Sequence, residues 1–363
     1  MASASAPIWF DPLKANAGPL PGALLTVAFP PNRAHTWIHM KLQQLRYIWE
    51  VAQNELNVTA TAGSLFTSQP GISKQIRLLE DELGIDIFIR SGKHFTGLTP
   101  GGQQVVTVAG EILAKVNDIR QIANDVLNRE VGELTIATTH TQARYALPPV
   151  IQAFMRQYPD IRLTINQGTP SQIAEQVSRG LVDLAIATEA TDLFENLVTL
   201  PCYQWNRSVL VPHDHPLAQR PKLTLEELAQ YPIITYTFGF TGRSQLDRAF
   251  EKAGLHPQIA LTAVDADVIK TYVRLGLGIG IVAHMAHDPV MDADLAAIEA
   301  GHLFAPSITK VMLRKEMFLR EFLYDFIRLF APHLSRDIIA QAMHIRERKD
   351  WEALFKDIVL PLH

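Results

Sequence analysis

The chain has 363 residues, 47% of them hydrophobic, a formal net charge of −4 and a single cysteine, Cys202. That length accommodates two or three domains with their own cores, and no apolar run reaches the ~18–20 residues needed to span a bilayer. One cysteine excludes an intramolecular disulfide framework and a cysteine-cluster metal site, and fits a reducing cytoplasm.

Residues 1–39 read as a disordered tail, or as the product of an early start with Met40 as the true one. Pro7, Pro12, Pro19, Pro21, Pro30 and Pro31 interrupt every helical pattern there. From Met40 the pattern changes. Leu42, Leu45, Ile48 and Trp49 recur at helical spacing, which predicts a helix over 41–53. A second short helix is expected over 58–66. In TSQPGISKQIRLLEDELG, Ser68 is a good N-cap, Ile72, Ile76, Leu79 and Leu83 form one apolar stripe, and Gly84 closes the helix.

Two short helices joined by a tight turn have the form of a helix-turn-helix, although an ordinary amphipathic hairpin fits the periodicity equally well. On the first reading Ser68, Gln69, Ser73, Lys74 and Arg77 face the DNA major groove, where Gln reads adenine and Arg or Lys reads guanine. Over residues 40–99 six Lys/Arg balance six Asp/Glu, so binding requires segregated charge. Glu80, Asp81 and Glu82 are expected at the groove-distal end of the helix. The next segment, IFIRSGKHFTGLT, alternates as a β-hairpin wing presenting Arg90, Lys93 and His94 to phosphates.

After Pro100, Val105, Ala109, Ile112, Val116, Ile119, Ala123 and Val126 form a heptad seam along a long linker helix. Such a seam needs a partner. An intermolecular coiled coil is one solution, giving a dimer with two reading helices, and the chain's own effector domain is the other.

Residues 133–138 read as a strand, followed by a hydroxyl-rich turn and a helical run. IRLTINQGTPSQIAEQVSRGLVDLAIAT repeats strand, turn, helix and strand, and PIITYTFGFTGRSQLDRAF does so again. Two helix starts facing a cleft make an anion cradle with few or no buried cations. Arg243 adds charge only if it reaches. His213-Asp214-His215 reads as a surface turn rather than a metal site, GLGIG at 276–280 as a helix-to-strand turn, and Cys202 lacks nucleophile partners. Without a recognisable catalytic motif, an enzyme is not expected.

TSQPGISKQIRLLEDELGIDIFIRSGKHFTGLTPGG resembles the signature of LysR-type transcriptional regulators, and ATTHTQARYALP, QGTPSQIAEQV, PCYQWNRS and YTFGFTGRSQLD resemble its CysB-type branch. The resemblance runs from Met40 almost to the C-terminus. It implies a winged helix-turn-helix and a long linker helix, then a two-lobed α/β effector domain like type 2 periplasmic binding proteins. The corresponding boundaries are 40–98, 99–130 and 131–340, with a helical tail at 341–363.

It also implies control of sulfur assimilation and cysteine biosynthesis, and a site built from Thr139, Thr141, Gln142, Thr188, Trp205 and Thr241. The implied effector is N-acetylserine or O-acetylserine, with sulfate or thiosulfate as further ligands and no cofactor. Implied partners are double-stranded DNA, further copies in a dimer and tetramer, and RNA polymerase, with no membrane. An anion-delivering solute-binding protein is the alternative function, because the two-lobed domain alone would support it.

Overall fold

The computed structural model describes residues 39–92, 94–126, 132–189, 193–240 and 242–363. Residues 1–38 of the tail expected over 1–39, the stretch 127–131 at the linker's end, Lys93 and Thr241 lie outside the described residues, as does the side chain of Val126.

The first unit forms where the sequence patterns place it. Helix α1 (Leu42–Gln53) buries Leu45, Ile48 and Val51. Helix α2 (Val58–Ser64) is capped by Asn57, whose side chain accepts from the Ala60 amide at 3.0 Å. It stops short of the expected 66, because Phe66 adopts a φ of 51°. Helix α3 (Gln69–Leu83) begins at Ser68, whose hydroxyl accepts from the Gly71 amide at 3.3 Å, and ends at left-handed Gly84. Strands β1 (Phe88–Ser91) and β2 (His94–Leu98) pair antiparallel as the wing.

Helix α4 (Pro100–Val126) divides the heptad seam in two. Val106 and Ala109 are buried with the core of α1–α3, and Gly110 lets the indole of Trp49 approach so closely that a Cβ would lie 2.7 Å from Nε1. Farther along, Ile119, Ile122 and Ala123 are exposed. The first half of the seam therefore packs on the chain's own α1, a partner neither expectation named. Helix α4 also meets the effector domain through Asp118 with Arg314 at 3.6 Å and Lys115 with the Glu316 carbonyl at 2.5 Å, while Ile119, Ile122 and Ala123 have no cover among the described residues.

Beyond the linker the chain builds two lobes. The first contains β3 (Gly132–Thr138), α5 (Leu147–Gln157), β4 (Ile161–Gln167), α6 (Pro170–Ser178), β5 (Leu184–Ala187) and β6 (Leu197–Trp205). The second contains β7 (Arg207–Pro212), α7 (Leu225–Leu228), β8 (Ile233–Tyr236), α8 (Arg243–Lys252), β9 (Ile259–Ala263), α9 (Ala266–Arg274), β10 (Ile279–Ala283) and β11 (Leu295–Glu299). Strand β12 (Ser307–Arg314) then returns to the first sheet. Strand order is β4-β3-β5-β12-β6 in one lobe and β11-β7-β10-β8-β9 in the other. The chain thus crosses between lobes twice, at Asn206 and at residues 300–306. The GLGIG run is the turn from α9 into β10, with Gly276 at φ 73°.

Three more helices complete the first lobe: α10 (Glu321–Phe330), α11 (Arg336–His344) and α12 (Arg348–Phe355). The boundary drawn at 340/341 falls inside α11 and is corrected here. The tail packs on β6, where the Trp351 indole donates to the Thr199 carbonyl at 2.7 Å and the Gln204 amide donates to the Pro361 carbonyl at 2.9 Å.

Candidate DNA interface and effector cleft

Along α3 the buried stripe of Ile72, Ile76 and Leu79 turns the opposite face outward. Ser68, Gln69, Lys74 and Arg77 are exposed and Ser73 half-buried, so the five side chains share the opening of one helix, and the Gln69 amide lies 3.5 Å from the Ser73 hydroxyl. Phe66, in the turn before α3, is 98% exposed and holds a left-handed φ that is costly for an aromatic residue. Sequence reasoning passed over it, since an aromatic residue in a short turn reads as core.

The wing requires a correction. Glu80 does lie toward the far end of α3, as expected, but it is buried. Its Oε1 accepts from the Ile87 and Phe88 amides at 2.8 and 3.2 Å, and its Oε2 accepts from the Arg90 guanidinium. Arg90, expected to meet phosphate, instead neutralises this carboxylate and lies over the Phe95 ring. The signal was a glutamate one helical turn beyond Ile76 on the buried side. His94 stays exposed on the wing.

In the effector domain, β3 delivers Thr139 and Thr141 into a π-helical turn (142–146) that precedes α5. The expected helix start is therefore a π-turn, a geometry that often marks a functional site. Thr139, Thr141 and Gln142 are all buried. The Thr141 hydroxyl is buried beside that of Tyr236 without a well-formed hydrogen bond.

Gln142, Thr188 and Trp205, 63 residues apart along the chain from first to last, converge on a residue that sequence reasoning missed, Thr309. Its Oγ1 accepts from Gln142 Nε2 and from Trp205 Nε1, each at 3.2 Å, and lies 3.4 Å from Thr188 Oγ1. A hydroxyl has two lone pairs and one proton. With both lone pairs taken, the Thr309 proton has two neighbouring oxygens to meet, those of Thr188 and Tyr203. Tyr203 donates to Gln142 Oε1 and so fixes which way the amide faces; burial raises the tyrosine's pKa and keeps that proton in place. A register shift between Thr309 and Lys310 marks this point of β12.

From the second lobe, Gly242 caps α8 with a φ of 72°, and a Cβ there would collide with Arg207 and Ser307 and would lie 3.2 Å from the Trp205 ring. The second turn thus meets the first across Trp205. Arg243 does not supply charge to the cleft, because it pairs with Asp247 at 2.7 Å and donates to the Tyr236 carbonyl at 2.9 Å. The site does carry one buried cation behind it, Arg207, which is within the expectation of few or none.

Two cross-lobe links flank the cleft. Tyr145 donates to Asp267 at 2.8 Å, with Arg144 3.6 Å from the same carboxylate, and Ser244 donates to Glu189 at 3.1 Å. Burial favours the neutral acid at Asp267, but Tyr145 and Lys270 outweigh it and hold the pKa down. Ligand atoms of His140, Asp265 and Asp267 lie within 4.8 Å of one another. Lys270, 3.1 Å from Asp267, already occupies that negative site. His213 meets the Ala293 carbonyl at 3.0 Å, and the His215 ring accepts from the Leu217 amide at 3.2 Å, so each ring has a local structural role. Burial pushes the Cys202 thiol up to about 12, which leaves it protonated.

Among the described residues no helix is long and apolar enough to cross a membrane. Residues 128–335 match the LysR substrate binding domain and residues 42–103 match the bacterial regulatory helix-turn-helix protein, lysR family. The chain is 54% identical over 321 residues to the HTH-type transcriptional regulator CysB of Haemophilus influenzae, covering 88% of this chain and 99% of that protein. It is 52% identical over 301 residues to the regulator SsuR of Burkholderia cenocepacia, covering 83% and 98%. The crystal structure of the cofactor-binding domain of the Cbl transcriptional regulator superposes with a TM-score of 0.57 at 46% identity, covering 59% of this chain and 95% of that one.

Proposed function

The chain belongs to the LysR family of transcriptional regulators, and from that premise we propose that it controls sulfur-assimilation and cysteine-biosynthesis genes in response to a small anion held between its effector lobes. As a family member it is a DNA-binding regulator rather than an enzyme. The helix-turn-helix match argues against the solute-binding alternative. N-acetylserine or O-acetylserine is the effector in this reading, and sulfate or thiosulfate competes for the same cradle. It acts in the cytoplasm without a cofactor.

The observation that carries the reading is the convergence of Gln142, Thr188 and Trp205 on Thr309, beside the unsatisfied Thr141 hydroxyl. Oriented neutral donors in a water-poor cleft stabilise an oxyanion without the desolvation cost of burying a lysine in the cradle itself. Ligand alters regulation only by binding two conformations unequally. Closure of the lobes is that difference here, carried through α4 to the DNA-binding unit.

The exposed Ile119, Ile122 and Ala123 supply a dimer seam along α4. Two dimers form the tetramer, which presents paired reading helices to an operator and a surface to RNA polymerase. The test is calorimetry with O-acetylserine, N-acetylserine and sulfate, joined to operator footprinting with and without each. Thr139→Ala and Gln142→Ala should each weaken effector binding at least tenfold and abolish the footprint change while leaving DNA affinity intact. Wild-type effector affinity in both variants would remove the cradle from consideration.

A further inference from the structure

Arg207 opens β7 at the first crossover between the lobes, and only 3% of it is exposed. Its Nη2 donates to the Gly242 carbonyl at 2.6 Å and to Ser307 Oγ at 3.0 Å, and its Nη1 donates to the Ala305 carbonyl at 3.2 Å. Ala305 and Ser307 belong to the second crossover and the start of β12, and Gly242 to the turn that opens α8. The guanidinium lies over the Trp205 ring at 5.2 Å and the Phe304 ring at 5.6 Å. One side chain therefore joins both crossovers, the second effector turn and the indole whose N–H reaches the Thr309 hub.

Each of these acceptors is neutral. Among the described residues no carboxylate stands within ion-pair distance of Arg207. Lys270, buried to a similar degree, is met by Asp292 at 2.9 Å and Asp267 at 3.1 Å. A buried cation without a counter-charge is unfavourable, and proteins almost always pair one. Burial lowers the Arg207 pKa to about 10, partly offset by Tyr236 and Glu189, so the group is still charged at neutral pH. Interaction between charges is strong where the dielectric is low. An anion in the cradle, across the Trp205 ring from Arg207, is the missing counter-charge.

We propose that Arg207 is the specificity-determining cation of the effector cleft, making the cradle prefer an anion to a neutral molecule of the same shape and positioning both inter-lobe crossovers around it. This rests on the reading of the cleft as an effector site. It adds a second source of charge selectivity beside the oriented hydroxyls and amides.

The test is calorimetry on the full chain with N-acetylserine, its neutral carboxamide and inorganic sulfate. R207Q should weaken N-acetylserine and sulfate by about 30-fold or more, and the carboxamide by less than about threefold. Equal weakening of the carboxylate and the carboxamide would reduce Arg207 to a structural brace and overturn the proposal. R207K provides a second measurement should R207Q fail to fold. A buried lysine has a lowered pKa, so anion affinity in R207K should fall about tenfold between pH 7 and pH 9 while carboxamide affinity and the wild-type protein stay flat. A flat R207K profile for the anion would likewise overturn it. Failure of the wild-type chain to bind any of the three probes is a different result, because it would sink the effector reading itself.

Discussion

The wing and the inter-lobe crossover each tie an arginine into the fold, one exposed and one buried, and they treat its charge in opposite ways. In the wing, Arg90 meets Glu80, whose other oxygen holds the Ile87 and Phe88 amides, so the charge is balanced within a few ångströms. At the crossover, Arg207 rests on two carbonyls, a hydroxyl and two aromatic faces, with no carboxylate at ion-pair distance among the described residues. Asp183 takes a third course: burial raises its pKa to about 6, so its carboxyl holds a proton into mildly acidic pH where a free carboxylate has lost it. The contrast separates charges balanced within the scaffold from the one for which a ligand is proposed as the counter-charge.

The largest expected effect comes from breaking the balanced pair. Glu80→Ala removes the acceptor for two buried amides and the partner of Arg90, and should cost about 2–4 kcal/mol in urea denaturation. A loss below about 1 kcal/mol would show that the pair does not anchor the wing, and the contrast with Arg207 would then lose its basis.

Asp183 gives a sharper, pH-dependent comparison. Its folded carboxyl keeps a proton up to about pH 6, whereas in the unfolded chain it ionises near 3.8. Folding therefore takes up a proton between these values. The associated stability is fully present below about pH 4 and is lost as pH rises through 6. Asp183→Asn should remove this slope, so that relative to the variant the native protein loses about 2–3 kcal/mol between pH 4 and pH 7. Parallel stability curves for the two proteins would contradict the protonated, buried state.

On the DNA side, Arg77→Ala should weaken operator binding by about 1–3 kcal/mol and relax base preference at one position, as read by competition with substituted operators. The smallest effect is expected on the salt dependence of binding in Arg90→Ala. Because Arg90 is already neutralised, the variant should lose stability yet leave the slope of affinity against salt nearly unchanged. A slope lower by about one unit would return Arg90 to the phosphate-contacting set.

Local physics made much of the DNA-binding unit legible in advance. Ser68 caps α3 and Gly84 ends it because side-chain oxygens and left-handed backbone act over one helical turn, and Ile72, Ile76 and Leu79 are buried because their spacing puts them on one face. The same short range explains where reading failed. Glu80 lies on that buried side, but its worth as an acceptor depends on amides seven and eight residues away that only the fold of the wing brings to it. The heptad seam was visible as a pattern, yet a pattern of apolar residues does not name its partner. Close approach of Trp49 at Gly110 gave its first half to α1.

For the effector domain, the sequence by itself determined the alternation of strands and helices and the two polar turns after β3 and β8, since periodicity, caps and turn residues are encoded between near neighbours. Resemblance added the identities of the cleft residues but not their arrangement. Only the tertiary structure decided that Gln142 and Trp205 meet on Thr309, 167 and 104 residues farther along the chain, and that Arg207 reaches Ser307 across 100 residues. The sequence carries no local mark of either event. Threonine on a strand and arginine beside a crossover are ordinary by composition. What makes them distinctive is burial and the charge of their neighbours, which two crossovers between lobes bring about only after the whole domain has folded.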